Sequence, residues 1–411
     1  MTLFAATRAP RHILVGPGQR KALSHYAAKI GSRALICTDE RMGQDPALRD
    51  MVDGLTSAGV EVRVYDRTLP EVPMSSIQEA LEIGRAFGPD TVIGLGGGSC
   101  LDQAKVTALL LTHGGKPSDY YGEFKAPGPV IPVIALPTTA GTGSEVTPVA
   151  VVADPEKTLK VGIATPEIIP QIAICDPELT LTCPPGLTAA SGSDAMTHAV
   201  EAFMAAPRDA TSDITYSHVF LGKNAFSDMY ALQAIGHIAR SLEKAVKQGS
   251  DVEARESMMW ASMLAGLAFG TAGTAAAHAL QYPVGALTHT AHGLGVACLL
   301  PYVMEYNSPK CIRELVQIAD AMGLPKDGQG DEARAFAAID AIEDLFARVG
   351  IPRTIKELGL AEDQLDWAAD QAMGAARLVK NNPRQLDAAA MGHILRAAQD
   401  GTRPELRKLP A

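Results

Sequence analysis

The sequence is poor in aromatic residues and has no long uncharged apolar run. Only 5% of its 411 residues are aromatic, so Ala, Val, Leu and Gly must fill the interior, as is typical of α/β and helical enzymes. No stretch of about 18 uncharged apolar residues is present, which argues against a transmembrane helix. The opening segment MTLFAATRAPRHILVG also lacks the apolar core of a signal peptide. We therefore expect a cytoplasmic protein with no membrane partner.

Clustered positive charge and paired cysteines are also missing. The formal net charge is −10, from 36 Lys and Arg against 46 Asp and Glu. Because nucleic-acid binding requires clustered cations, the absence of a basic stripe argues against such a partner. The 6 cysteines show no CxxC spacing, so they predict small buried thiols and neither disulfides nor a zinc knot.

The length of the chain and the change in its sequence pattern near Pro184-Pro185 predict two domains. A chain of 411 residues exceeds one ordinary core and suits two domains of roughly 100–200 residues each. Strand-like and helix-like segments alternate as far as Pro184-Pro185, which predicts a parallel sheet covered by helices. From Gly186 onward, long Ala-, Met- and Leu-rich segments predict helices almost alone. We predict an α/β domain over residues 1–184 and an all-α domain over 185–411.

The individual elements are predicted from their periodicity. The predicted strands cover residues 12–15, 33–37, 60–65, 91–95, 130–135 and 172–175. The predicted helices cover residues 20–29, 47–59, 75–87, 227–248, 251–269 and 331–349.

A glycine-rich turn joins a predicted strand to a helix in TVIGLGGGSCLDQAK. Gly97 and Gly98 let the backbone approach a phosphate, and the helix N-terminus offers N–H groups to a pyrophosphate. We expect Ser99 to cap this helix, with Asp102 completing a variant of the capping box. The alternative is a tight turn without a ligand. Position 99 is Ser, so the usual G-x-G-x-x-G fingerprint is incomplete.

Two further segments suit a dinucleotide. Asp39 follows a predicted strand in CTDE, where a carboxylate can accept hydrogen bonds from a ribose diol and repel a 2′-phosphate. Asp39 therefore favours NAD over NADP, unless it is only a strand-end turn residue. The loop ALPTTAGTGSEVT gathers hydroxyls after another strand, and its alternative is a polar loop without function. The hydroxyls belong to Thr138, Thr139, Thr142 and Ser144.

Four residues in two segments form a candidate metal site. In SGSDAMTHAVEAF, Asp194 and His198 are spaced i, i+4 and share one helix face, although such pairs also form ordinary surface hydrogen bonds. In GTAAAHALQYPVGALTHTAHGLG, the alternatives are a core histidine for His278 and a turn residue for His292. Together they would form a site of three histidines and one carboxylate, with His289 able to replace either later histidine. Such ligands suit Fe, Zn, Cu or Ni and do not decide between iron and zinc.

These parts predict a redox reaction. A cation with an open coordination position lowers the pKa of an alcohol and polarises an aldehyde carbonyl. A hydride can then pass between the alcohol carbon and a nicotinamide.

The motifs together resemble the iron-containing (group III) alcohol dehydrogenases. GGGSCLDQAK, PTTAGTGSEVT, the segment from IPQIAICDPELT to HAVEAF and HALQYPVGALTHTAHGLG occur in the family's order. The resemblance implies an N-terminal NAD-binding domain, a helical metal-binding and catalytic domain, and a fold shared with dehydroquinate synthase. It also implies NAD and Fe²⁺ as cofactors, with Zn²⁺ as an alternative metal, a small alcohol or aldehyde substrate, and a homodimer or larger homo-oligomer.

The resemblance assigns site residues. The metal ligands fall on Asp194, His198, His278 and His292. The cofactor contacts fall on Asp39, Gly97, Gly98, Ser99, Thr138, Thr139, Thr142 and Lys160.

Two departures from the family pattern affect the predicted chemistry. Tyr282 stands where many members carry a second histidine, and a phenol is a poor general base at neutral pH. It either donates a hydrogen bond near the substrate or packs before Pro283. Residues 207–226 form an insertion, in which Lys223 is either a partner for a substrate carboxylate or an exposed loop lysine.

The insertion and the tyrosine together resemble the hydroxyacid-oxoacid transhydrogenase branch. A transhydrogenase or a 4-hydroxybutyrate dehydrogenase is therefore the alternative to a simple alcohol dehydrogenase. A dehydroquinate synthase-like lyase is more remote, because no dense set of Lys and Arg surrounds the ligand motifs. A non-catalytic binding protein would have no use for an open metal site.

Overall fold

The computed structural model describes residues 3–157, 159–326, 328 and 330–409. The strands are β1 His12–Val15, β2 Arg33–Cys37, β3 Glu61–Tyr65, β4 Thr91–Gly96, β5 Gly122–Glu123, β6 Val133–Pro137, β7 Val149–Val152, β8 Val161–Ala164 and β9 Ile172–Cys175. The helices are α1 Leu23–Ile30, α2 Glu40–Gly43, α3 Pro46–Ser57, α4 Met74–Phe87, α5 Gly98–His113, α6 Pro185–Met204, α7 Ile214–Ser217, α8 Ala225–Lys247, α9 Val252–Ala272, α10 Ala276–Thr288, α11 His292–Met322, α12 Asp331–Arg348, α13 Leu365–Ala372, α14 Ala376–Asn381 and α15 Ala388–Asp400.

Six strands form a parallel sheet in the order β1-β9-β6-β4-β2-β3. Every residue of β4 is buried, as expected of a central strand covered on both faces. Along β2, Ala34 and Ile36 join the core that includes α1 and α3. The alternate residues Leu35 and Cys37 pack on the other face, with residues of α4 and α5. The predicted parallel sheet with helices on both faces is confirmed.

The strand order places a topological switch point between β2 and β4. The chain leaves β2 toward β3 on one side and leaves β4 toward β6 on the other. Ligands of open α/β sheets bind outside the carboxyl ends of the strands at such a point. Asp39 follows β2, and the glycine-rich turn follows β4, so both lie at the switch point.

A second sheet of three short strands, in the order β5-β8-β7, was not predicted. Its strands have 2, 4 and 4 residues. β5, with two residues, is too short for a pattern to be recognised, whereas β7 and β8 are as long as the predicted strands β1 and β9 and were missed.

The chain divides into two compact units. One comprises Arg8–Cys183 with Tyr216–Val219, and the other comprises Pro184–Thr215, the chain from Phe220 onward and the N-terminal residues up to Thr7. The second unit is helical among its described residues. Within it, α6 and α9 are buried over most of their length, which is the pattern of core helices.

The structure bears on two expectations from the sequence, one about buried cysteines and one about membrane-spanning helices. All six cysteines are buried and have free thiols. In the described part of the chain no single helix is long and apolar enough to cross a bilayer, and only the pair α9 and α10, bent by 102°, reaches that length and composition together.

A buried ionic network joins α11 to the C-terminal segment of the chain. The Glu305 carboxylate is fully buried and contacts Arg403 at 2.8 Å as well as Arg407. Burial raises the pKa of Glu305, and the two guanidinium groups oppose that rise. A buried carboxylate is tolerated only while such partners remain.

We predict that Arg403→Ala destabilises the protein by about 3 kcal/mol, because it removes one partner of a buried charge. Denaturant unfolding followed by circular dichroism measures the change. Arg348→Ala, which removes a half-exposed arginine 2.8 Å from Glu243, is the control and should cost below about 1 kcal/mol. Equal losses in the two variants would show that the network contributes no more than a surface pair.

Candidate active site

Helix α6 presents three functional side chains on one face. Asp194, His198 and Glu201 follow the spacing i, i+4, i+7, which places them one above another. All three are buried, with exposed fractions of 3, 5 and 3%. The predicted pairing of Asp194 with His198 is therefore an interior feature and not a surface hydrogen bond.

Helices α10 and α11 bring two further histidines to Asp194. One ligand atom each from Asp194, His278 and His292 lies within 4.8 Å of the other two. His198 is not in this group of three, but its Nε2 lies 3.6 Å from Asp194 Oδ1. His278 Nε2 lies 3.7 Å from the same oxygen. The three histidines chosen from the sequence thus converge on the carboxylate of the fourth residue, Asp194.

Gly293 permits this convergence. A Cβ atom at position 293 would lie 2.4 Å from the backbone oxygen of Ala190 and 3.3 Å from Asp194 Cβ. Only a residue without a side chain allows α11 to start this close to α6. Because His292 is the neighbouring residue, the close approach sets its imidazole beside Asp194.

The residues fit a divalent cation. The 3.6 and 3.7 Å separations are too long for hydrogen bonds, yet ligand atoms about 2.1 Å from a shared ion lie about 3.4 Å apart. His278 Nε2 is buried and makes no hydrogen bond to any described residue, which is costly unless a ligand occupies that lone pair. The donor set of imidazoles and one carboxylate suits iron or zinc.

Ring contacts fix the orientation of the histidines. The His198 ring stacks on Phe269, with centroids 4.2 Å apart, and on His278 at 4.8 Å. The His292 ring centroid lies 5.3 Å from that of His278. His289, the alternative ligand, is exposed and ends α10 in a left-handed conformation. It does not join the cluster.

Tyr282 lies on α10 within electrostatic reach of the cluster. Burial raises the pKa of its phenol, the carboxylates of Glu201 and Asp194 add to the rise, and Arg377 opposes it. The phenol is therefore protonated at neutral pH, where it can donate a hydrogen bond but cannot serve as a general base.

Glu201 was not among the predicted site residues. Its Oε2 accepts a hydrogen bond from His278 Nδ1 at 2.6 Å and another from the Ala275 N–H at 2.9 Å. Its Oε1 accepts one from the Ala277 N–H at 2.6 Å. The signal was present in the sequence, since Glu201 continues the helix face of Asp194 and His198.

In the α/β unit, α5 begins directly after the glycine-rich turn. Gly97 is the N-cap and, as a glycine, offers no side chain to the free N–H groups of the first turn. A Cβ atom on Gly98 would lie 2.6 Å from Thr142 Cγ2, so the loop after β6 packs directly over this turn. The result is a helix N-terminus with open amides, which suits a pyrophosphate.

The predicted capping box at this turn is wrong. Ser99 is the second residue of α5, and its hydroxyl accepts a hydrogen bond from the Glu71 N–H at 3.0 Å. Asp102 instead accepts hydrogen bonds from the Ser144 hydroxyl at 2.6 Å and the Val151 N–H at 2.9 Å. Both side chains form hydrogen bonds with neighbouring loops and not with the start of α5, where Gly97 is the N-cap. Asp102 thus contacts the protein and holds the hydroxyl-rich loop.

The remaining predicted cofactor residues lie around the same strand ends. Thr138 and Thr139 are buried, and the Thr138 N–H donates to the Gly96 carbonyl at 2.9 Å. Thr142 Oγ1 accepts a hydrogen bond from the Ser144 N–H. Asp39 caps α2 through Oδ1, 2.8 Å from the Met42 N–H. It therefore has the local role of a turn residue, and its Oδ2 lies 3.7 Å from Cys100 Sγ in the first turn of α5.

Lys160 reaches this region through Glu71. Its Nζ lies 2.7 Å from Glu71 Oε1, and the Glu71 N–H is the group bonded to Ser99. Glu71 and Val72 both adopt left-handed φ angles, 67° and 52°, which is uncommon for residues with side chains. Lys160 is thus ion-paired with a residue that lies beside the start of α5.

Ionisable groups are also buried beneath the turn. Lys105 is fully buried and donates to the Thr147 and Val149 carbonyls at 3.0 and 2.8 Å. Burial lowers the pKa of Lys105 to about 8 and raises that of Glu145 to about 7. The lysine ties α5 to the loop that follows β6.

Lys223, in the insertion, has neither of its predicted roles. Its Nζ donates to the Phe203 carbonyl at the end of α6 and to Asp228 Oδ1 at 2.8 Å. It also lies 3.9 Å from the centre of the Phe203 ring. The lysine satisfies a helix C-terminus, so it is not an exposed loop residue or a free partner for a substrate carboxylate.

Comparison with known proteins gives a consistent result. A model of iron-containing alcohol dehydrogenases matches residues 10–177, and a model of the C-terminal part of the Fe-containing alcohol dehydrogenase family matches residues 188–399. Long-chain-alcohol dehydrogenase 1 of Geobacillus thermodenitrificans (strain NG80-2) is 37% identical over 398 residues, 96% of each chain. The NAD-dependent methanol dehydrogenase of Bacillus methanolicus is 32% identical over 390 residues, 95% of this chain and 98% of that protein.

A solved structure extends the likeness to the fold. The crystal structure of a 1,3-propanediol oxidoreductase superposes with a TM-score of 0.89 at 33% identity, covering 96% of this chain and all of that one. The chain therefore belongs to the iron-containing alcohol dehydrogenase family and is an oxidoreductase that acts on alcohols.

Proposed function

We propose that the protein is a metal-dependent, NAD-linked dehydrogenase that interconverts a small primary or hydroxylated alcohol and its aldehyde. The observation that carries the proposal is the convergence of Asp194, His278 and His292 within 4.8 Å, with His198 beside the same carboxylate. Relatives that act on methanol and 1,3-propanediol by name support a small alcohol as substrate.

The metal centre would be held by the Asp194 carboxylate and by the imidazoles of His198, His278 and His292. Fe²⁺, the metal that the family name implies, supplies a Lewis acid that lowers the pKa of an alcohol or polarises an aldehyde carbonyl. Zn²⁺ is the alternative, since the ligand types suit both. Tyr282 would donate a hydrogen bond near the substrate, because its raised pKa keeps the phenol protonated.

The NAD would bind in the α/β domain, residues 1–184, and catalysis would reside in the helical domain, residues 185–411. The pyrophosphate would lie on the open amides at Gly97, Gly98 and Ser99, with the hydroxyls of Thr138, Thr139 and Thr142 and the ammonium of Lys160 nearby. Asp39 would accept hydrogen bonds from a ribose diol and disfavour a 2′-phosphate. Asp102 would support this loop from within the protein. A homo-oligomer and a cytoplasmic location stay predictions.

The transhydrogenase hypothesis rests on the insertion at residues 207–226 and on Tyr282. The contacts of Lys223 with Phe203 and Asp228 remove one argument for an acidic substrate, because the ammonium is already engaged. The alcohol dehydrogenase is therefore the better supported function, and the two differ in their dependence on an oxo acid.

We predict steady NADH formation from small primary alcohols by protein prepared without oxygen and reloaded with Fe²⁺. The assay uses a panel of alcohols and 4-hydroxybutyrate, each with and without 2-oxoglutarate, and follows absorbance at the NADH band. No net NADH, with consumption of both acids together, would instead indicate a transhydrogenase. Failure to oxidise any alcohol with either metal would contradict the proposed function.

His278→Ala should lose metal and turnover while retaining NADH binding, because it removes one buried ligand and leaves the α/β unit unchanged. Metal content per chain and NADH fluorescence titration measure the two properties separately. His289→Ala, which removes an exposed histidine from the opposite end of the same helix, is the control and should match the wild type. Full activity in His278→Ala would refute the ligand assignment.

Gly98→Ala should weaken NADH binding by tenfold or more, a loss of about 1.4 kcal/mol, because the new Cβ would displace Thr142. Gly128→Ala adds a Cβ where nothing lies within 4 Å and should bind NADH normally. Isothermal titration of both variants, with metal content checked, makes the comparison. Unchanged affinity in Gly98→Ala would place the dinucleotide elsewhere.

A further inference from the structure

The buried Glu201 carboxylate contacts both a candidate metal ligand and a helix terminus. Its two oxygens accept three hydrogen bonds, from His278 Nδ1, the Ala275 N–H and the Ala277 N–H, at 2.6 to 2.9 Å. Glu201 does not belong to the group of candidate ligand atoms formed by Asp194, His278 and His292, so its role is that of a partner to His278.

The first consequence concerns the His278 imidazole. An ionised carboxylate has only acceptor atoms, so the imidazole is the donor in its contact with Glu201. The proton of a neutral His278 is therefore held on Nδ1, and the lone pair stays on Nε2. That nitrogen makes no hydrogen bond to any described residue and lies 3.7 Å from Asp194 Oδ1. A hydrogen bond of this kind sets the tautomer and ring orientation of metal-binding histidines.

The second consequence concerns the start of α10. Its N-cap, Ala275, has no side chain able to bond to the free N–H groups of the first turn. Glu201, which belongs to α6, provides the missing acceptor for Ala277 and for Ala275 itself. A residue of another helix thus performs the function that a capping side chain and a capping box usually share.

Asn381 secures the same junction from the other side. Its amide donates to the carbonyls of Ala272 and Thr274 at 3.0 and 3.1 Å, just before α10 begins. In the part of the chain that the structure describes, no hydrogen bond joins Asn381 to the His278 imidazole. The chain therefore offers two buried side chains that stabilise one helix junction, of which only Glu201 touches a candidate ligand.

We propose that Glu201 is a positioning residue that orients the His278 imidazole for the metal while it caps the start of α10. By holding Nδ1–H and the backbone of α10 with one carboxylate, it presents the His278 Nε2 lone pair to the cluster in a single orientation. The inference rests on the proposed metal site. Loss of such a partner weakens metal binding about 10- to 100-fold in other proteins.

The test compares Glu201→Gln with Asn381→Ala in the full-length apoprotein. A glutamine places its NH₂ group either against the Ala277 N–H or against His278 Nδ1 and the Ala275 N–H, so it cannot keep all three hydrogen bonds. Fe²⁺ is titrated without oxygen against a chromophoric chelator, and thermal unfolding of the apoprotein is recorded. We expect a 10- to 100-fold weaker Kd for Glu201→Gln, and a Kd within about twofold of wild type for Asn381→Ala, although both lower the melting temperature.

A spectroscopic readout separates positioning from mere stability. In ¹⁵N-histidine-labelled apoprotein, the His278 signal is assigned by its absence in His278→Ala. Wild type and Glu201→Asp, which keeps an acceptor-only carboxylate, should show the Nδ1–H tautomer. Glu201→Gln should show a mixture or the other tautomer. If Glu201→Gln does not fold, the Asp variant still tests the tautomer.

Two results would overturn the inference. One is wild-type metal affinity and tautomer in Glu201→Gln, and the other is an equal loss of metal affinity in Asn381→Ala. Either would leave the metal site itself standing. Failure of the wild-type protein to bind Fe²⁺ or Zn²⁺ would instead contradict the proposed function.

Discussion

The site depends on one constraint, the burial of the Asp194 carboxylate inside a helical unit. A carboxylate that is 3% exposed is stable only where positive charge or strong donors compensate for lost water. The surrounding side chains are imidazoles whose nitrogens lie just beyond hydrogen-bonding distance of its Oδ1. A carboxylate surrounded by imidazoles at these distances suits a divalent cation, for which both kinds of group are ligands. The packing of α6 against the start of α11, which requires Gly293, follows from the same need.

In the α/β unit, the feature that suits a ligand is a set of backbone N–H donors at the start of α5. Helix α5 begins with a glycine N-cap, which has no side chain to bond to the first amides, whereas most helices have a capping side chain there. Ser99 and Asp102 are engaged by neighbouring loops. The open helix end lies at the switch point of the sheet, where an anionic cofactor is expected.

Much of this could be predicted from the sequence, because local patterns report local structure. The strands His12–Val15, Arg33–Cys37 and Ile172–Cys175 have the predicted bounds, since buried parallel strands are short apolar runs between turns. The i, i+4 spacing of Asp194 and His198 is a property of a helix and needs no tertiary information. Their convergence with His278 and His292 could be proposed only from chemistry and family resemblance.

The predictions that failed concerned side chains whose partners lie far away in the sequence. Ser99 looked like a cap because serine commonly caps helices, but the amide of Glu71, 28 residues away, occupies its hydroxyl. Lys223 looked like a loop lysine because the carbonyl of Phe203, which it satisfies, is visible only once α6 ends there. Glu201 shared the helix face of the ligands, yet its role required knowing where α10 begins.

X-ray absorption at the iron edge of the ferrous-loaded wild-type protein is the most direct test of the central claim, that these histidines and Asp194 bind a metal ion. The account predicts a first shell of nitrogen and oxygen alone with the scattering pattern of imidazoles, and a shell that contains sulfur or lacks imidazole would contradict it.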